Sequence, residues 1–142
     1  IGARQLNNNF SGHLVAVFQQ GLIGKNIKID GSYILIMGIS FKENCKDIRN
    51  TRIVDVVSQL QRLGCKVDVY DPIVDAEEVR EHYLISLVEE LEHDKYDGAI
   101  YPLAHSCFVG LADKSYLGPM KKNHFILDLK NILPRNIGAG HL

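Results

Sequence analysis

An α/β domain with helices wound on both faces of a mostly parallel sheet, preceded by an amphipathic helix, is the fold class this sequence predicts. Three observations predict it. Tyr33-Ile34-Leu35-Ile36-Met37 is a run of five apolar residues, the pattern of a strand buried on both faces. Beyond the polar stretch 38–52, the positions Ile53, Val56, Val57, Leu60 and Leu63 recur at helical spacing. Cys65-Lys66-Val67-Asp68-Val69-Tyr70 then alternates as a second strand. Strand, helix and strand make a βαβ unit, and the domain built from such units is doubly wound and Rossmann-like.

Taken in order, Leu6, Phe10, Leu14, Val17 and Phe18 form one apolar stripe, which predicts a helix over 4–18 standing ahead of the domain. Gly21, Gly24 and the Asp30-Gly31-Ser32 turn predict a linker, so the domain proper is expected to begin near Gly31. The first strand is expected over 33–39 and its helix over 51–63, with Asn50 or Thr51 as N-cap and Gly64 just past the C-terminus. Asp71-Pro72 reads as the turn that stops the second strand. Asp75 is the expected cap of a short acidic helix reaching about His82. Leu84-Ile85 reads as an extended step, 87–92 as a helix, and 97–103 as a strand whose pairing ends at Pro102. A helix over 112–120 and a last strand over 125–129 complete the domain. The expected division is 1–30 helix and linker, 31–136 domain, and 137–142 tail.

Composition narrows the function. Lys+Arg of 16 against Asp+Glu of 17 gives a net charge of -1, which argues against broad binding to nucleic acid or anionic membrane. Cys45, Cys65 and Cys107 are odd in number and form neither a CxxC pair nor a metal-ligand spacing, so a reducing cytoplasm and no metal are expected. The start Ile1-Gly2-Ala3-Arg4 has no signal-peptide pattern and no initiator methionine, which suggests a chain cut from something longer.

The chemistry gathers in the stretch 38–52. It holds Lys42, Lys46, Arg49 and Arg52 against only Glu43 and Asp47, and it leaves the carboxyl end of a strand, where parallel sheets present ligands. An anion is the natural guest. Only Gly38 stands where a dinucleotide site would carry G-x-G-x-x-G, so the turn does not cradle a pyrophosphate in the usual Rossmann manner. Lys42 and Arg49 suit phosphate through side-chain charge instead, unless Asp47 and Arg49 simply pair with each other. Cys45, near a helix N-terminus, has no base assigned to it and is not read as a nucleophile. Lys130, leaving the last strand, is a second phosphate candidate or a solvated lysine. His105 shares that sheet edge and reads as structural or solvated, and Arg4 as a surface residue.

These residues resemble a known family. Gly38-Ile39-Ser40-Phe41-Lys42-Glu43-Asn44-Cys45-Lys46-Asp47-Ile48-Arg49-Asn50-Thr51, followed by a helix and Val69-Tyr70-Asp71-Pro72, is similar to the C-terminal domain of the UDP-glucose and GDP-mannose dehydrogenases. Ala104-His105-Ser106-Cys107-Phe108 resembles the family's later His-x-x-Phe loop, Asp128-Leu129-Lys130-Asn131 its closing strand, and Ala3-Arg4-Gln5-Leu6-Asn7 the end of its central dimerisation helix. The resemblance implies a fragment of an enzyme that oxidises the C6 alcohol of a UDP-sugar to the uronic acid in two NAD-dependent steps. It implies that Phe41 and Lys42 contact the nucleotide sugar, that Arg49 reaches NAD bound mainly by another domain, and that Lys130 stands where some members place a substrate-binding arginine. It also implies that Arg4 reaches the substrate of the neighbouring subunit in a homodimer. The catalytic cysteine of the family has no counterpart here. The loop style is nearest to members acting on UDP-N-acetylhexosamines for surface polysaccharides. Two other readings stand beside this one: an interaction module that dimerises through the Leu6/Phe10/Leu14 face, and a stand-alone NAD-binding protein.

Overall fold

The computed structural model describes residues 2–40, 42–49, 51–105 and 118–130, with side chains from residue 10 onward. Its elements run α1 (Gly2–Gly24), β1 (Tyr33–Met37), α2 (Ile53–Arg62), β2 (Lys66–Tyr70), α3 (Ala76–Tyr83), β3 (Tyr96–Tyr101) and β4 (Met120–Asp128). The strands form one sheet in the order β2-β1-β3-β4, and every neighbouring pair is parallel. The predicted α/β, Rossmann-like class is the observed one.

Alternation along β1 explains the core. Ile34 and Ile36 face a layer built from Leu14, Phe18 and Leu22 of α1 and Val56 and Leu60 of α2, all fully buried. Leu35 and Met37 face the other way, toward Tyr96, Ala99, Tyr101 and Ile126. A strand apolar on both sides is what a sheet packed on both sides requires.

The first helix departs from expectation. It does not end at Phe18 before a linker but continues through Gly21 to Gly24 and lies on the sheet. Both glycines at its contact are there for closeness of approach. A Cβ at Gly21 would run into the ring of Phe125 on β4, and one at Gly98 on β3 would sit 2.6 Å from Phe18 Cζ. The packing gained offsets the roughly 1 kcal/mol that glycine costs within a helix.

The α2 boundaries are close to those expected. Its N-cap position is Arg52, which makes no side-chain cap bond, while Thr51 Oγ1 accepts the Ile53 N–H at 3.2 Å. Gly64 follows the helix with φ +93, the left-handed conformation that stops it. Asp75 caps α3 as predicted, accepting the N–H groups of Glu77 and Glu78.

Two other expectations fail. No helix forms over 87–92: Leu87 makes an isolated parallel bridge with Val69, and the Val88 N–H donates to Val69 O at 2.9 Å. Six residues give an unsupported helix too few internal bonds to compete with a sheet edge. The last strand starts at Met120, not Phe125, and the expected helix over 112–120 does not reach that far. From Met120 to Phe125 β4 advances five residues while β3 advances two, from Tyr96 to Gly98, so a polar segment bulges outward. Those extra polar residues hide the strand's period. Asn50, residues 112–117 and the expected tail 137–142 lie outside the described residues. No described helix is long and apolar enough to cross a membrane.

Candidate functional site

With the order β2-β1-β3-β4, the chain reverses direction across the sheet between β1 and β3, which opens a crevice beyond their carboxyl ends. A cleft of about 440 Å³ occupies that place. The loop after β1 supplies Ser40, Lys42, Glu43, Thr51 and Arg52; the loop after β3 supplies Pro102 and Leu103; the end of β4 supplies Leu129 and Lys130; and α1 supplies Phe10.

Beneath the cleft, one buried carboxylate ties three strand ends together. Asp71, directly after β2, accepts the Ile39 N–H at 2.8 Å and the Ser40 N–H at 3.4 Å on Oδ2, and the Ile73 N–H at 2.9 Å on Oδ1. His105 Nε2 approaches the same Oδ2 at 3.0 Å, and both side chains are fully buried. The Asn44 N–H donates to His105 Nδ1 at 2.9 Å, so that nitrogen accepts and Nε2 carries the proton toward Asp71. Asn44 itself sits at φ +55, a conformation its short polar side chain tolerates. The Asp71-Pro72 turn is therefore the anchor of the loop after β1 as well as a strand stop, and His105 is its second anchor. At the far half of the loop, Tyr83 on α3 donates its O–H to Ile48 O.

Of the predicted site residues, the structure brings Lys42 and Lys130 to one cleft from opposite ends of the chain. Lys130 Nζ lies 3.5 Å from Glu43 Oε1. The Glu43 carboxyl is held below its ordinary value, first by its own backbone N–H and further by Lys130 and the Ala104 N–H. Arg49 stands apart. Its guanidinium is 79% exposed, does not line the cleft, and pairs in a fork with Asp47 at 3.0 and 3.1 Å. That pair holds the Asp47 carboxyl below its usual range and raises the Arg49 guanidinium. Arg49 is thus an exposed loop residue, already paired, that stands outside the cleft. Phe41 and the side chain of Arg4 lie outside the described residues.

The sequence offers Arg52 only as loop charge and Phe10 only as part of the apolar stripe of the first helix, yet both line the cleft. The Arg52 guanidinium lies over the Phe10 ring at 5.1 Å, and Ser11 Oγ donates to Arg52 O at 3.4 Å. No spacing rule links residue 10 to residue 52, so only the seating of α1 on α2 reveals the pair. Cys45 does not line the cleft and accepts the Asp47 N–H at 3.4 Å. Burial pushes the Cys65 thiol up, and it donates to Ile29 O. Cys107 lies outside the described residues.

Comparison with known proteins bears on the same region. Residues 35–135 match the profile of the UDP-glucose/GDP-mannose dehydrogenase family, UDP binding domain. The chain is 43% identical over 134 residues to UDP-N-acetyl-D-glucosamine 6-dehydrogenase of Salmonella typhi, covering 94% of this chain and 32% of that protein. It is 37% identical over 133 residues to the enzyme of the same description from Pseudomonas aeruginosa, with the same coverage. Among solved structures, NDP-N-acetyl-D-galactosaminuronic acid dehydrogenase from Methanosarcina mazei superposes with a TM-score of 0.81 at 25% identity, over 98% of this chain and 29% of that one. The chain thus spans about a third of the length of the curated relatives it matches.

Proposed function

Since the chain belongs to the UDP-glucose/GDP-mannose dehydrogenase family and carries its UDP binding domain, we propose that the cleft beyond β1, β3 and β4 takes the diphosphate of a UDP-sugar. Lys42 and Lys130 are its proposed charged contacts, and Phe41, next to Lys42 in the sequence, is a further proposed contact of the nucleotide sugar. The observation that carries this reading is the convergence of those two lysines, remote in sequence, on one crevice at the reversal of the sheet. Two relatives matched over 94% of this chain, at 43% and 37% identity, are UDP-N-acetyl-D-glucosamine 6-dehydrogenases, so a UDP-N-acetylhexosamine is the proposed class of substrate.

The whole enzyme, in this reading, oxidises the C6 alcohol of that sugar to the carboxylate, and this chain serves as the nucleotide-holding part. NAD, when bound, supplies the hydride acceptor for both oxidation steps. Arg49 reaches outward toward it from the loop tip, and Arg4 reaches the substrate of a neighbouring subunit in a homodimer. The same reading puts the enzyme in the cytoplasm, in the supply of sugars for surface polysaccharides.

Two charge-assisted contacts contribute about 1.5–3 kcal/mol each, so their sum of about 3–6 kcal/mol brackets the roughly 4.1 kcal/mol that corresponds to 1 mM. Millimolar binding of UDP by the chain is the expected result. An NMR titration should move the signals of Lys42 and Lys130; shifts confined to other regions, or none at several times that concentration, refute the assignment. A stand-alone NAD-binding protein would instead be stabilised by NAD and not by UDP in a thermal-shift comparison. Dimerisation through the Leu6/Phe10/Leu14 face is disfavoured because Leu14 is already buried in the chain's own core and Phe10 is half-buried against it.

A further inference from the structure

The described lining of the cleft carries three cations, Lys42, Arg52 and Lys130, and one carboxylate, Glu43. That carboxylate is a fixed part of the site. It meets Lys130 Nζ at 3.5 Å, accepts its own N–H and that of Ala104, lines the cleft and keeps 34% of its side chain exposed. A carboxyl held below its ordinary 4.5 is ionised at neutral pH. The described lining therefore offers two net positive charges.

The two ligands that share a uridine diphosphate differ by one charge. In a UDP-sugar each phosphate bears one negative charge, because the terminal phosphate is esterified by the sugar. In free UDP the terminal phosphate ionises a second time near pH 6, by analogy with a phosphate monoester, which gives about three charges at neutral pH. Lys130 already shares its charge with Glu43, so among the described lining residues a third negative charge in the cleft faces that carboxylate beside a cation that is already paired.

We propose that Glu43 is a specificity-determining residue, a built-in negative charge that biases this cleft toward the doubly charged diphosphate of a nucleotide sugar and against the free nucleoside diphosphate. The inference rests on the reading of the cleft as the UDP-sugar site. Its functional sense is that a site so biased is not clogged by the free diphosphate. Like charges a few ångströms apart at a half-exposed site disfavour each other by about a factor of ten in affinity.

The test is a pair of NMR titrations of the 142-residue chain, with UDP and with UDP-N-acetylglucosamine, on the wild type and on Glu43→Gln at about pH 8, where free UDP carries its extra charge. Freeing Lys130 strengthens both ligands, so the readout is the affinity for UDP-N-acetylglucosamine divided by the affinity for UDP. That ratio should fall about three- to tenfold in the variant. A ratio that does not change overturns the role of Glu43, while shifts at Lys42 and Lys130 in both titrations leave the binding site itself intact. If neither ligand moves those signals, both readings fall. A second measurement compares the two proteins in pH: on going from about pH 8 to about pH 5, where UDP loses its extra charge, the ratio in the wild type should fall relative to the ratio in Glu43→Gln. The same pH response in both proteins is equally fatal to the proposal.

Discussion

Lys42 and Arg49 come from one loop and carry the same charge, yet their surroundings assign them different work. Lys42 lines the cleft, whereas Arg49 points out of it in a fork with Asp47. Lys42→Ala should weaken UDP binding by about ten- to a hundredfold, the loss of one charge-assisted contact, and Arg49→Ala should leave it within about twofold. Calorimetric titration with UDP separates the two, and equal losses would dissolve the distinction. Glu43 makes a prediction in pH. Its folded carboxyl lies below the ordinary 4.5, so the stability it contributes is complete above that value and is lost as the pH falls through the lower, folded value. Lys130→Met should raise the Glu43 midpoint only part of the way back, because the residue's own backbone N–H is the larger cause and remains. Side-chain carbon NMR across the acid range reads that midpoint directly. The basic character of the loop was legible because charge is a local property, and Lys130 was legible from its place after the last strand; the seat of Arg52 over the Phe10 ring was not, since it depends on α1 packing beside α2.

Close contact between an element and its neighbour explains where reading by pattern succeeded and where it did not. β1, α2, Gly64 and the Asp75 cap were legible because each rests on its own few residues: an apolar run, a helical period, a left-handed stop, a side chain within reach of two amides. The end of α1 was not, because Gly21 signals a linker in sequence and serves as a contact surface in the fold. Gly98 tests this at the opposite side of the same interface. A methyl group there would sit 2.6 Å from Phe18 Cζ and 3.2 Å from both Ile34 Cδ1 and Leu22 Cδ2. Gly98→Ala should therefore cost about 1–3 kcal/mol by overpacking. Urea unfolding measures it, and an unchanged midpoint would mean that α1 has room to move away from the sheet. The helix expected over 87–92 failed for the complementary reason: a short segment took the bonds that the exposed edge of β2 offered.

At the scale of the whole molecule, α1 is not an appendage. Leu14, Phe18 and Leu22 are fully buried between it and the sheet, and at about 1.5–3 kcal/mol for each buried side chain they supply a sum comparable to the roughly 5–15 kcal/mol that keeps a domain folded. Removing residues 1–24 should leave a chain without cooperative thermal unfolding, seen by circular dichroism; a sharp transition in the shortened chain would show that the sheet and its remaining helices suffice. The division at Gly31 was drawn from composition, and composition does not register a helix that returns to cover the strands after it. The outward bulge in β4 also has an effect between molecules. Among the described residues β4 is the last strand of the sheet, and its irregular stretch carries Lys121, Lys122, Asn123 and His124. A second copy laid along this border would find the amide ladder out of step and meet charged ammonium groups, which obstructs templated strand addition and keeps crowded solutions of the protein from growing β-linked aggregates at that edge.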